Sequence, residues 1–284
     1  MAGIDDFFQA IRMTGAYTTP PALLKAAPVR AGLLAALRFY FGGLGGVIVQ
    51  GTRAIHDHSF SPDTLGQLAW RLVHSAERMG TCVTFTDFAS LQNITRQPAV
   101  IVANHMSLVE TMMLPAGVFA NGHMTIVAKR SLTRYPWFGK ILLASKPILV
   151  DRRNPRQDLA DVLEQGVRCL HAGSSVLLFP QGTRLATFDP QRFNSLGAKL
   201  AKRAGVPLIP VACKTDFAEP GRLLRDFGPV DPSRPICFTA GPLLDSARPQ
   251  RELQDVCIAH IVNCLKGWNM PVVAPADGET TNHE

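Results

Sequence analysis

Aromatic residues are scarce, at 7% of the chain, too few for a base-stacking surface, and no recognised nucleic-acid-binding motif occurs. Six cysteines (Cys82, Cys169, Cys213, Cys237, Cys257 and Cys264) include no Cys-x-x-Cys pair. That argues against a disulfide framework and for reduced, mostly buried thiols on the cytosolic side. There is no Gly-x-Ser-x-Gly nucleophile elbow. The stretch Met1 to Gln9 is acidic and has no basic leader, so no secretory signal is expected. Acidic residues are outnumbered: the formal charge is +7, which points to an anionic partner.

What is present is globular. With 284 residues, 46% of them hydrophobic, the chain can bury a core over one or two domains. The excess charge is concentrated. Between Lys129 and Arg156 eight cations stand against one acid, Asp151, interleaved with Leu132, Tyr135, Trp137, Phe138, Ile141, Leu142 and Leu143. Cations mixed with aromatic and aliphatic side chains suit an anionic lipid surface.

Residues 1–60 read differently from the rest. Pro20, Pro21 and Pro28 break the chain, and Ala31 to Val49 is almost wholly apolar. A spanning helix needs about 20 apolar residues with few charges. This run is marginal in length, carries Arg38 inside it and Gly42, Gly43, Gly45 and Gly46 near its end. It reads as a helix or helical hairpin lying in one leaflet, with a full span or a buried soluble helix as alternatives.

From Ser61 the pattern alternates. Helices are expected from Pro62 to Ala76, Ser107 to Phe119, Pro155 to His171, Asn194 to Arg203 and Arg251 to Leu265, from apolar residues at helical spacing. Short apolar runs at 81–86, 99–103, 124–128, 147–150, 175–179, 206–212 and 236–239 read as strands. The alternation predicts an α/β fold with a largely parallel central sheet flanked by helices. We therefore expect an N-terminal membrane-associated helical segment (1–60), an α/β domain (61–270) and a flexible tail (271–284).

Two motifs follow strand ends, where open α/β sheets bind ligands. After Ala99–Ala103 come Asn104-His105-Met106-Ser107-Leu108-Val109-Glu110. His105 can take a proton from a hydroxyl, and Glu110 can hold the imidazole. Ser107 to Glu110 also has capping-box spacing, so Glu110 reads equally well as a helix cap, and the two roles are compatible. After Ser175–Phe179 come Pro180-Gln181-Gly182-Thr183-Arg184. Gly182 permits a tight turn, Thr183 offers a hydroxyl, and Arg184 can grip a phosphate with two donors. A base beside an anion site suggests transfer to a hydroxyl on a phosphate-bearing acceptor. His56-Asp57-His58 reads as polar side chains facing solvent, and no metal site is expected.

Four ordered blocks carry a resemblance to the glycerolipid acyltransferase family, of the 1-acylglycerol-phosphate (lysophosphatidic acid) acyltransferase type. Asn104 to Glu110 resembles its Asn-His-x-x-x-x-Asp block. Lys129 to Arg153, with Pro136-Trp137-Phe138-Gly139 and Val150-Asp151-Arg152, resembles the second. Phe179 to Arg184 resembles Phe-Pro-Glu-Gly-Thr-Arg, and Val206 to Val211 the Val-Pro-x-x-Pro-Val block. The resemblance implies acyl transfer from acyl-CoA or acyl carrier protein to a lysophospholipid hydroxyl, with these donors as co-substrates and no other cofactor.

It implies His105 as base and Glu110 as its acid. Gly182, Thr183, Arg184 and Arg152 would hold the acceptor phosphate, and Pro207 would shape the pocket. Asn104, Ser107, Lys129, Gly139 and Gln181 are carried over as further substrate-binding positions. It also implies residence on the cytoplasmic face of the inner membrane, peripheral or shallowly inserted. Two positions depart. Glu110 stands for Asp, lengthening the side chain, and Gln181 for Glu, removing a charge beside Arg184. Another lyso-lipid acceptor (such as a lyso-ornithine lipid), an acyl-thioester hydrolase and a non-catalytic lipid-binding protein remain as alternatives. The acyltransferase reading requires His105 and Arg184 to meet at one cleft.

Overall fold

The computed structural model describes residues 3–24, 29–221 and 227–274. Pro28 and the tail from 275 onward lie outside the described residues. The core is an eight-stranded sheet in the order β1-β2-β8-β7-β3-β6-β4-β5. Five neighbouring strands are parallel: β7 (Leu208–Lys214), β3 (Val100–Ala103), β6 (Ser175–Leu178), β4 (Met124–Lys129) and β5 (Ile148–Val150). Antiparallel pairing of β7 with β8 (Ile236–Ala240) reverses the direction, and β2 (Val83–Thr86) follows β8 in parallel.

The central strands are apolar runs because helices cover both faces. Every residue of β3, β6 and β7 is buried. On one face α5 (Pro62–Glu77) packs on α6 (Val109–Phe119); on the other lie α8 (Pro155–His171), α9 (Leu196–Ala204) and α10 (Gln250–Gly267). Local sequence sets the boundaries. Ser61 caps α5 with Pro62 at its first turn, Asn154 caps α8 with Pro155 next, and Gly205 closes α9 in the left-handed conformation, each a favoured terminator. Burial raises all six thiol pKa values, that of Cys257 to about 12. All six are free.

The N-terminal 60 residues do not form a separate unit. Helix α1 (Ile4–Thr14) buries Phe7 and Ile11 completely. Phe7 meets Phe85 edge-on at 5.3 Å, and β1 (Tyr17–Thr18) pairs with β2. The buried Glu77 accepts hydrogen bonds from Tyr17 Oη and Thr19 Oγ1 at 2.7 and 2.9 Å. A short turn, α2 (Pro21–Leu24), follows.

The apolar run is one helix, not a hairpin. Leu33–Leu37 (α3), a π-helical stretch Arg38–Leu44 and Gly45–His56 (α4) are continuous. None of its four clustered glycines takes a positive φ, so no turn forms. Instead they admit a locally wider helix. An 18-residue stretch of this 24-residue helix has a mean hydropathy of 1.5, and the helix is long and apolar enough to cross a membrane. Gly51 lets it dock on α7 (Phe138–Ala144): a Cβ there would lie 2.6 Å from Ile141 Cδ1. At the other end, the proposed tail begins in place, since Val273 donates to Phe188 O and Phe188 to Pro271 O at 2.8 and 3.0 Å.

Candidate active site

Each of the five parallel strands ends in a polar or charged group at the same edge of the sheet. His105 follows β3, Lys129 closes β4, Arg152 follows β5, Gly182 to Arg184 follow β6 and Thr215 follows β7. Parallel pairing brings these carboxyl ends together, although they are up to 110 residues apart in the chain (215 minus 105).

His105 is held from four directions. Its N–H donates to Gln181 Oε1 at 2.6 Å, and its carbonyl accepts from the Leu185 N–H at 2.9 Å. Its ring stacks on Phe179, with centroids 4.5 Å apart. Its Nδ1 lies 2.7 Å from Glu110 Oε1. With Nδ1–H donating to a carboxylate, the other ring nitrogen, Nε2, is left as the acceptor. The ring lines a cavity of about 920 Å³.

Glu110 is wholly buried, and its bonds both cap α6 and hold the imidazole. Oε1 also accepts from the Met106 and Ser107 N–H groups at 2.6 and 2.8 Å. Oε2 accepts from the Thr215 hydroxyl at 2.5 Å and lies 3.0 Å from Ser107 Oγ. Burial alone would push this carboxyl up. The bond and charge of His105, the Thr215 hydroxyl and the backbone donors outweigh it and hold Glu110 below the usual carboxylate range, so it is an anion at neutral pH. The glutamate reaches the imidazole without loss of contact, despite its extra methylene.

The cavity lining mixes two kinds of side chain. Lys129, Arg152, Thr183 and Arg184 give its lining positive charge and a hydroxyl, while Leu44, Ile48, Leu108, Met112, Leu132 and Trp137 give it apolar surface. Gly182, at φ 69°, takes the left-handed turn that only glycine adopts freely. Arg152 itself sits at φ 60°, in a loop whose Asp151 and Arg152 N–H groups donate to Asp158 at 3.0 and 2.7 Å. Burial lowers the Arg152 pKa, Asp158 opposes this, and the charge of Arg184 lowers it further. Two guanidiniums that repel each other in one cavity make a ready site for a phosphate.

Five positions carried over as substrate contacts have other roles. Asn104 is fully buried and clasps β7, with Nδ2 donating to Cys213 O and Oδ1 accepting from Cys213 N at 2.8 and 2.7 Å. Ser107 is buried in the Glu110 network and accepts the Val109 N–H at 3.0 Å. Gly139 is a packing contact, because a Cβ there would lie 2.1 Å from the Thr133 carbonyl. Pro207 precedes β7 opposite Ala99, at the amino end of the sheet, roughly 15–20 Å from the His105 edge at about 3.3 Å per residue.

Gln181 positions His105. Gln181→Ala leaves the part-buried His105 N–H without its acceptor, at a cost of about 1 kcal/mol. Chemical denaturation should show this loss, whereas Gln181→Glu, which keeps an acceptor oxygen, should match the parent. Thr215 was not identified from the sequence. The strand expected at 206–212 stops three residues short of it, whereas β7 runs to Lys214 and places it at the strand end. His56 pairs with neighbouring Asp57 at the surface, at 3.0 Å, and among the described residues no three metal-ligating side chains come together.

An open, parallel α/β domain with a His–carboxylate pair and paired arginines at its carboxyl edge defines the class. Residues 85–214, a little under half of the chain, match the model of the Acyltransferase family. Over 122 residues the chain is 40% identical to the 1-acyl-sn-glycerol-3-phosphate acyltransferase of Pseudomonas aeruginosa, covering 43% of this chain and 46% of that one. The enzyme of the same name from Saccharomyces cerevisiae is 31% identical over 123 residues, or 42% of this chain and 40% of that one. The match thus spans about half the length of these curated relatives. The crystal structure of the 1-acyl-sn-glycerophosphate (LPA) acyltransferase PlsC from Thermotoga maritima shares the fold, with a TM-score of 0.56, 17% identity and coverage of 81% of this chain and 95% of that one.

Proposed function

We propose that this protein is a membrane-associated O-acyltransferase. It transfers a fatty acyl group from acyl-CoA or acyl carrier protein to a lysophospholipid hydroxyl, with 1-acyl-glycerol-3-phosphate as acceptor and phosphatidic acid as product. One observation carries the reading: His105, backed by Glu110, shares a single cavity with Lys129, Arg152 and Arg184 and with apolar surface. The relatives named for this activity support it.

The cations and Thr183 hold the acceptor phosphate, and the apolar surface takes acyl chain. The free hydroxyl attacks the thioester carbonyl while Nε2 of His105 accepts its proton. Glu110 stabilises the imidazolium. The tetrahedral intermediate expels the thiolate, which takes the proton back from Nε2, leaving an ester, a thiol and neutral His105. General base catalysis of this kind contributes roughly 10²- to 10⁴-fold.

The membrane reading rests on exposed apolar side chains. Leu33, Leu34, Phe41 and Val49 on the long helix are exposed, as are Tyr135, Trp137 and Leu143 in the basic stretch. Leu44 and Ile48 of the same helix line the cavity, so a bilayer against this helix lies beside the acyl-binding surface. Docking on the cytoplasmic face of the inner membrane fits the cation-rich rim.

The test is to incubate purified protein with several lyso-lipids and with both thioester donors, and to identify products by mass spectrometry. A diacyl product that appears only with a phosphate-bearing acceptor supports the reading. Thioester turnover without any acceptor makes the protein a hydrolase. Arg184→Ala should raise the acceptor KM about tenfold to a hundredfold, the value of a charged hydrogen bond, and the donor KM much less. An unchanged acceptor KM removes Arg184 from the phosphate site.

A further inference from the structure

A second cavity, of about 440 Å³, lies between the π-helical part of the long helix and α5, and shares no lining residue with the first. Its wall carries Arg38, Arg71, Arg78 and His74 and no carboxylate. The nearby Glu77 is buried and turned inward, bonded to Tyr17, Thr19 and His74 Nδ1. Arg71 bonds to the neutral Gln50. Arg38 and Arg78 form no ion pair with a described carboxylate. Gly43 lies at the floor, where a Cβ would stand 2.5 Å from Ser75 Oγ, while Gly42 and Gly46 leave open space. Trp70 stacks on His74 at 5.2 Å, and Trp is a side chain suited to the membrane–water interface.

The catalytic reading leaves these groups without a task. Helical neighbours of Arg38 include the exposed Leu34 and Phe41, four and three residues away and so on adjoining surface. A cationic hollow bordered by exposed aliphatic and aromatic side chains matches a lipid, with its phosphate in the hollow and its tails against the helix.

We propose that this cavity binds the phosphate headgroup of an anionic bilayer phospholipid that is neither substrate nor product in the cycle, and that it seats the long helix at a fixed depth. The proposal rests on the membrane docking argued above, not on the transfer chemistry.

The test is vesicle sedimentation of the full chain, using phosphatidylcholine vesicles with and without phosphatidylglycerol. Each basic residue near an anionic surface is worth about fivefold in partition. Arg71→Ala/Arg78→Ala should therefore lower binding to the anionic vesicles by at least about tenfold. Arg168→Ala/Arg251→Ala, which removes the same charge from exposed helix positions on α8 and α10, should change it by less than about twofold. Activity on a detergent-dispersed acceptor should stay at the parent level in both.

Equal losses in the two double variants, or no loss in the first, overturn the site in favour of diffuse surface charge. A rise in melting temperature with inorganic phosphate that Arg71→Ala/Arg78→Ala abolishes, while vesicle binding stays unchanged in that variant, reassigns the cavity to a free anion and overturns the lipid. A parent chain that sediments with neither vesicle overturns the docking and this site together, whereas sedimentation unchanged by Arg71→Ala/Arg78→Ala overturns the site alone.

Discussion

Glu110→Ala is expected to lower both stability and activity. Two backbone N–H groups, the Thr215 hydroxyl and the His105 ring point at this one buried carboxylate. Removing it strands buried donors, and breaking a buried charge pair costs about 3–5 kcal/mol. Urea denaturation should show a loss of that size, and an Ala variant as stable as the parent would contradict the network. Glu110→Gln separates the two effects. It keeps acceptor oxygen and volume, so most of the stability should remain. It removes the charge that stabilises the imidazolium, so turnover should fall by about 10²- to 10⁴-fold.

The same carboxylate sets an acid limit. Its folded pKa lies below the ordinary value of 4.5, so between the two values the unfolded chain binds more protons than the folded one. Its contribution is fully present above pH 4.5 and is lost as pH falls through the lower folded value. Denaturation midpoints measured down this range should fall more steeply for the parent than for Glu110→Gln.

His105→Ala is expected to abolish transfer while leaving the fold intact. The ring keeps 12% of its side-chain surface exposed, and Glu110 retains the Met106, Ser107 and Thr215 donors without it. The stability loss should stay within about 1–3 kcal/mol. Initial rates with both thioester donors should fall at least 10²- to 10⁴-fold. Activity within a few-fold of the parent would remove His105 from the base role.

Much of this site was legible because it is local. His105 and Glu110 are five residues apart on either side of one helix start, so a single capping turn brings them together. Phe179 to Arg184 is a strand end followed by a glycine turn, both readable from neighbouring residues. Asn104 and Gln181 show the limit of motif transfer. Both stand in the right blocks, yet their side chains point at backbone, Asn104 at Cys213 and Gln181 at His105. Pro207 belongs to the right strand but to its wrong end, a distinction set by strand direction.

The sequence by itself determined the alternation of short apolar strands with amphipathic helices, the helix caps and the chemistry of the two turns. These depend on periodicities and side-chain contacts within about a dozen residues. Only the tertiary structure decided which strand ends meet, that Thr215 closes the Glu110 network, that residues 4–18 join the core and that the long helix walls the cavity. Many of those outcomes rest on contacts between segments more than a hundred residues apart. Apolar strands of similar length carry little information about their order, and burial against the whole sheet selects it.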